Sequence, residues 1–380
     1  MMDALLNQRL EAYAARGLRR QLPHMQAGML DFCSNDYLGF ARSAELAART
    51  ARLLEAQGFV GNGATGSRLI SGNSALFEEI EQEIAHFHRA QAGLVFNSGY
   101  AANAGLLACV ARKGDTLITD ELVHASMIDG ARLSYAQRYI FRHNDLDDLR
   151  SKLLQARGNV FIAVESVYSM NGDLAPLREL QALAREFGAG LIVDEAHAVG
   201  VFGPAGAGRV VELGLEKEVF ARVYTFGKAL GHHGAIVVGS HSLRTYLINF
   251  ARTFIYTTAL PLPALLAVQA AYHYLQQHPG LQQRLAQRIR YFRHRLLPHF
   301  PGQWLPSSCC IQSLLLPGNQ AAKELSSHLM QAGIFVKAIL SPTVPAGTER
   351  MRFCVHLFND QAQIDRLAAC LSGKQLAHYR

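Results

Sequence analysis

The chain of 380 residues has no apolar run near the roughly 18 residues a membrane helix needs. Its nearest candidate, ALPLPALLAVQAAYHYL, is broken by Pro261 and Pro263, so no membrane is expected as partner. Six cysteines are too few for a disulfide framework, and none has C-x-x-C spacing. Adjacent Cys309 and Cys310 are badly placed to bridge each other, which suits reduced thiols in a cytoplasmic protein. The opening MMDALLNQRLEAYAARGLRRQLP lacks the apolar stretch of a secretory signal and reads as a first surface helix. The net charge is +7, yet no basic run is interleaved with aromatics. Nucleic acid is therefore not an expected partner, and the excess suits an enzyme that handles anionic small molecules.

Some motifs are present without their context. GNGATG (61–66) fits G-x-G-x-x-G, but no strand precedes it and no apolar helix follows. VDEAH (193–197) resembles a helicase box, but the chain lacks the G-x-x-x-x-G-K-[ST] loop that would grip a triphosphate. Asp194, His197 and His124 fall short of the three or four spaced ligands of a hydrolytic metal site, so no metal is expected. The histidines of HFH (86–88) read as solvated or half-packed.

What the sequence does contain is regular. Hydrophobic residues make up 49% and charged residues 18%, enough to bury a large core. Asn73 and Ser74 cap a helix whose apolar stripe is Leu76, Ile80, Ile84 and Phe87. Short apolar runs follow: GLVFN, DTLITD, RYIFRH, VFIAVES, GLIVDEAH, VYTFGK and GAIVVGS. Helical segments such as PLRELQALAREFG separate several of them, predicting an α/β fold on a mostly parallel, two-side-covered seven-stranded sheet. After about residue 262 come two long helices, then the strands IQSLLLP, IFVKAIL and RMRFCVH with helices between and after them. The expected division is an N-terminal segment (1–40), a large α/β domain (41–262) and a small α+β domain (263–380).

Ligands of open α/β sheets gather at the carboxyl ends of the strands. Those ends deliver Ser98, Gly99 and Tyr100 at a helix start, His124, Ser169, Asp194 with His197 beyond it, and Thr225 with Lys228. Lys228 has no acid in its own stretch, VYTFGKALGHHGAIVVGS. These parts suit pyridoxal phosphate: its aldehyde needs a lysine, its ring nitrogen a carboxylate, its phosphate a helix start and hydroxyls, and its ring a flat partner. A charge pair near 4 Å at an effective dielectric near 20 is worth about 4 kcal/mol, enough to hold the ring protonated.

Over nearly its whole length the chain resembles the α-oxoamine synthases, a family of fold-type-I pyridoxal-phosphate transferases. The motifs that carry the resemblance are SNDYLGF (34–40), GATGSRLISGN (63–73), NSGYAANAG (97–105), HAS (124–126), ESVYSMNGDLAPL (165–177), VDEAHAVGVFG (193–203), TFGKALG (225–231), IYTTALP (255–261) and SPTVPAGTERMRF (341–353). The resemblance implies that Lys228 bonds the cofactor aldehyde, Asp194 pairs with the ring nitrogen, His197 approaches the ring hydroxyl and His124 stacks on the ring. It implies cofactor contacts from Ser98, Gly99, Tyr100, Ser169 and Thr225, and from Thr257 or Thr258 across a homodimer interface. Arg19, Asn35, His124 and Thr343 would line the substrate side, with Arg352 gripping an amino-acid carboxylate through two hydrogen bonds. The implied reaction is a decarboxylating condensation of L-alanine with a pimeloyl thioester on coenzyme A or an acyl carrier protein; a sister branch joins glycine to a short acyl-CoA. Ser341 stands where some members carry arginine. In GHHG, either His232 lines the pocket or both histidines are turn residues.

Overall fold

The computed structural model describes residues 2–20 and 22–372. The seven apolar runs form the seven strands of one sheet: β1 (Ala92–Phe96), β2 (Thr116–Asp120), β3 (Gln137–Phe141), β4 (Val160–Glu165), β5 (Gly190–Asp194), β6 (Ala221–Thr225) and β7 (Ala235–Gly239). Their order is β1-β7-β6-β5-β4-β2-β3. All neighbours are parallel except β7, which runs against both β1 and β6. Strands β1, β2, β4 and β5 are almost wholly buried, as continuous apolar runs covered on both faces require. The carboxyl ends of β1, β2, β4, β5 and β6 therefore meet at one edge, and β7 begins there.

Helix α1 (Ala75–Phe87) starts at Ser74, whose Oγ accepts the Phe77 N–H at 3.1 Å. Its buried face is Phe77, Ile80 and Ile84, with Leu76 and Phe87 half-buried beside it, so the stripe is turned slightly from the one expected. His88 departs from expectation. It is fully buried, stacks on Tyr224 at 3.5 Å, and bonds Tyr272 Oη at 2.8 Å and the Ala207 carbonyl at 3.0 Å. The helix has ended by then, so its solvated face no longer governs His88. Helix Met2–Ala15 buries no residue, as a surface helix should.

Beyond helices Leu262–Gln277 and Leu281–Leu296 lies a three-stranded antiparallel sheet. It comprises β8 (Ile311–Leu315), β9 (Lys337–Ile339) and central β10 (Arg350–Cys354). The stretch IFVKAIL is split between two partners. Ile334–Phe335 pairs in parallel with Leu30–Asp31, and only Lys337–Ile339 joins β10. The largest apolar cluster runs from Ile80 and Ile84 through Leu265 and Leu266 to Leu325 and Ile364, so packing is continuous across residue 262. No helix among the described residues is long and apolar enough to cross a membrane.

Candidate active site

A cavity of about 260 Å³ opens at the shared strand edge. Its walls include Asn35, Gly99, His124, Asp194, Thr225 and Lys228. Helix α2 (Gly99–Val110) begins after β1, capped by Ser98 Oγ on the Ala101 N–H at 3.1 Å. The N–H groups of Gly99 and Tyr100 lie in the first turn, where no intrahelical acceptor exists. An added Cβ on Gly99 would fall 2.4 Å from Thr225 Cγ2, so glycine alone leaves room between helix start and strand end. Tyr100 is half exposed and donates to Asp129.

Lys228 follows β6 by three residues, in the short turn into β7. Gly234 closes that turn at φ +106°, and its added Cβ would lie 3.1 Å from the Phe96 carbonyl. Lys228 Nζ lies 2.7 Å from His197 Nε2. Burial pushes its amine below the ordinary lysine range, against the opposing pull of Asp194 and Glu165. His197 is buried, and its Nδ1 lies 2.7 Å from Tyr37 Oη. Tyr37 donates to Asn35 Oδ1 at 3.1 Å, which also accepts from Arg352 Nη2 at 3.1 Å. One tautomer satisfies this chain: Lys228 donates to Nε2, and Nδ1–H donates to the tyrosine oxygen. Burial, then the cations Lys228 and Arg352, hold this imidazole well below its usual range, so it is neutral.

Asp194 ends β5 and is buried. Its Oδ2 accepts from Asn103 Nδ2 at 2.6 Å and its Oδ1 from the Ala196 N–H at 2.8 Å. Asn103 also donates to Ser126 Oγ at 3.1 Å, and Ser126 Oγ lies 2.8 Å from His124 Nδ1. His124 caps helix α3 (Ala125–Leu133), and its ring lies open to the cavity. Burial lowers its pKa and Lys228 adds to this, against the pull of Asp194. On the loop after β4, the Ser169 N–H donates to Glu165 Oε2 at 3.2 Å, and the Ser169 carbonyl accepts from Arg352 Nε at 2.6 Å. Arg352 Nη1 lies 3.0 Å from the weak acceptor Cys354 Sγ.

Lys228, Asp194, His197, His124, Ser98, Gly99, Tyr100, Ser169, Thr225, Asn35 and Arg352 are thus brought together at or beside the cavity. Others lie away from it. Arg19 and Thr343 are exposed, and neither lines the cavity. Thr257 Oγ1 and the Thr258 carbonyl accept from Asn97 Nδ2 at 3.0 and 2.7 Å. In GHHG it is His233, rather than His232, that lines the cavity; His232 Nε2 is buried with no hydrogen-bond partner. Four residues without a predicted role help build the site: Tyr37, Asn103, Ser126 and Glu165. Glu195 of VDEAH is structural, since its buried carboxylate accepts from the Arg209 and Val210 N–H groups at 2.9 and 2.6 Å.

Beside the cavity sits a second histidine cluster. His143 Nδ1 lies 3.0 Å from Asp120 Oδ1, at the end of β2, and its Nε2 lies 2.5 Å from Asp173 Oδ2. Burial opposes its protonation, but hydrogen bonds to both aspartates outweigh that and push it up to about 9.

The residues present fit pyridoxal phosphate. Among the described residues the lysine amine has no carboxylate partner, helix α2 offers free donors, and Glu165 Oε1 and Asn103 Oδ1 are buried without partners. The comparisons agree. The aminotransferase class I and II family model matches residues 27–371. An 8-amino-7-oxononanoate synthase of Emericella nidulans is 45% identical over 92% of this chain and 90% of its own length. One from Lysinibacillus sphaericus is 36% identical over 99% of both chains. Among solved structures, the Sphingomonas wittichii serine palmitoyltransferase superposes with a TM-score of 0.90 at 27% identity, covering 100% of this chain and 98% of that one. The 8-amino-7-oxononanoate synthase of Francisella tularensis gives 0.79 at 29% identity, over 93% and 100%. With family motifs, fold and cavity in agreement, the chain belongs to the aminotransferase class I and II family and, within it, to the pyridoxal-phosphate-dependent α-oxoamine synthases.

Proposed function

We propose that the protein condenses L-alanine with a pimeloyl thioester, releasing carbon dioxide and free thiol and giving 8-amino-7-oxononanoate, a step of biotin biosynthesis. The observation that carries this reading is the lysine amine of Lys228, free of any carboxylate partner, in one cavity with the buried carboxylate of Asp194. Pyridoxal phosphate, when bound, supplies an aldehyde that captures amines and a protonated ring that draws electrons from the alanine Cα.

Lys228 would hold the aldehyde, and its amine, when free, would take the alanine Cα proton. Its lowered pKa keeps more of the amine in the unprotonated form a general base requires. His197 accepts a hydrogen bond from the amine and so fixes its direction. Asp194, locked by Asn103 and the Ala196 N–H, would face the ring nitrogen. His124 would cover the ring face. Ser98, Gly99, Tyr100 and Thr225 would hold the phosphate from this chain. Thr257 and Thr258, outside this chain's cavity, would reach the phosphate of a second copy in a homodimer. Arg352 takes the alanine carboxylate with its weakly engaged Nη1, beside Asn35. Arg19 and Thr343 serve the acyl side, and the protein works in the cytoplasm.

The deciding experiment assays alanine, glycine and serine, each with pimeloyl- and acetyl-CoA and a pimeloyl carrier protein. Turnover is expected with alanine and a pimeloyl thioester. Preference for glycine with acetyl-CoA would reassign the protein to the sister branch.

A further inference from the structure

Glu165 ends β4 directly across the ladder from Asp194, the last residue of β5. Paired residues on neighbouring parallel strands send their side chains to the same face, about 5 Å apart. Two carboxyl groups thus form the floor of one cavity, and they are 2% and 5% exposed. Their settings differ. Asp194 is gripped on both oxygens. Glu165 accepts the Ser169 N–H on Oε2 at 3.2 Å. Its Oε1 has no partner, and no cation hydrogen-bonds the side chain among the described residues.

The charged or titratable groups facing it are Asp194 on β5, Tyr168 on the loop after β4, Lys228 in the β6–β7 turn and His124 at the start of α3. Adjacent buried carboxyl groups do not both ionise readily. Burial, then Asp194, push Glu165 up to about 8, against Lys228 and nearby backbone N–H groups.

We propose that Glu165 is a positioning residue that acts as a neutral acid. Its carboxyl holds the backbone of Ser169, whose carbonyl in turn holds Arg352, while it stays uncharged opposite Asp194 on the cavity floor. The inference rests on the reading of Lys228 and Asp194 given above. It adds that the wall carrying Ser169 and Arg352 is held through a group that must stay uncharged.

The test strips the cofactor from wild type, Glu165→Gln and Glu165→Ala and titrates pyridoxal phosphate back. Visible absorbance is followed from about pH 6 to about 9.5, with circular dichroism to report folding. In the alanine variant the buried Ser169 N–H loses its acceptor, so affinity for the cofactor should fall at least about tenfold at pH 7. Glutamine keeps a carbonyl acceptor and adds no charge, so Glu165→Gln should recover affinity to within about threefold of wild type. A step in the bound cofactor's absorbance near pH 8 should be present in wild type and absent in Glu165→Gln. The proposal is overturned if glutamine binds as poorly as alanine at pH 7, if alanine binds as wild type does, or if the step persists in Glu165→Gln. Should Glu165→Ala not fold, the glutamine titration decides alone, and a glutamine variant that fails to fold also counts against a neutral Glu165. Wild type that takes up no cofactor would sink the functional reading instead.

Discussion

His197 and His143 are both held at two ring nitrogens, yet the geometry gives them different charge states. His197 lies between a tyrosine hydroxyl and a lysine amine, and burial beside Lys228 and Arg352 keeps it neutral. His143 lies between two aspartates, which hold it as a cation. The partners set the charge, and the charge sets the use. A neutral imidazole can accept from a reactive amine without competing for its proton. An imidazolium can clamp the end of β2 to the loop that carries Ser169.

The sharpest way to break the comparison is to remove the amine that His197 serves. Lys228→Ala should lower turnover at least about a thousandfold and abolish the visible absorbance with pyridoxal phosphate. A variant retaining a tenth of wild-type rate would remove Lys228 from its assigned role. Asp194→Asn removes the carboxylate of the same cluster, and about 4 kcal/mol of charge pairing corresponds to about a thousandfold in rate. Steady-state kinetics and the absorbance of the bound cofactor would report it.

The structural cluster should respond differently. His143→Asn leaves Asp120 and Asp173 without their cation and should cost about 2 kcal/mol of unfolding free energy in urea, since the site is partly exposed. The pH dependence has a definite sign. His143 has its folded pKa raised above the unfolded 6.5 to about 9, so its stabilisation is complete below the unfolded value and lost as pH rises through about 9. Wild-type Tm should fall across that window, and His143→Asn should lack this component. A matched slope in both proteins would show that His143 is not the group responsible. The smallest effect belongs to Tyr37→Phe, which removes one hydrogen bond from His197. It should cost about 1 kcal/mol, seen mainly as a raised KM for the amino acid because Asn35 loses its tyrosine partner.

Much of this site was legible from strand ends. An apolar run that stops at a polar residue announces both the strand and what it delivers, which is how Asp194, Lys228 and Thr225 could be read. The supporting residues had no such signal. Tyr37 meets His197 across 160 positions of chain, a contact that no local pattern encodes. Asn103 lies inside a helix otherwise rich in alanine, where only the fold turns its amide toward Asp194. Glu165 was in view, but its importance depends on the register that sets it opposite Asp194. His88 departs from its expected exposure for a related reason. It follows the last turn of α1, so helical periodicity does not apply to it. In the same way, IFVKAIL looked like one strand because hydrophobicity does not reveal a change of partner.

The antiparallel placement of β7 has a consequence for how this enzyme can be altered. A parallel successor to β6 would need a long crossover, and the lysine would ride on a connection whose length could drift. Here the chain reverses within nine residues, from Phe226 to Gly234, and returns beside the strand it left. The lysine is thus tethered at both ends to the same rim. Insertions at the opposite rim of the sheet should leave the chemistry intact, whereas one residue added to this hairpin should uncouple the amine from Asp194 and the start of α2.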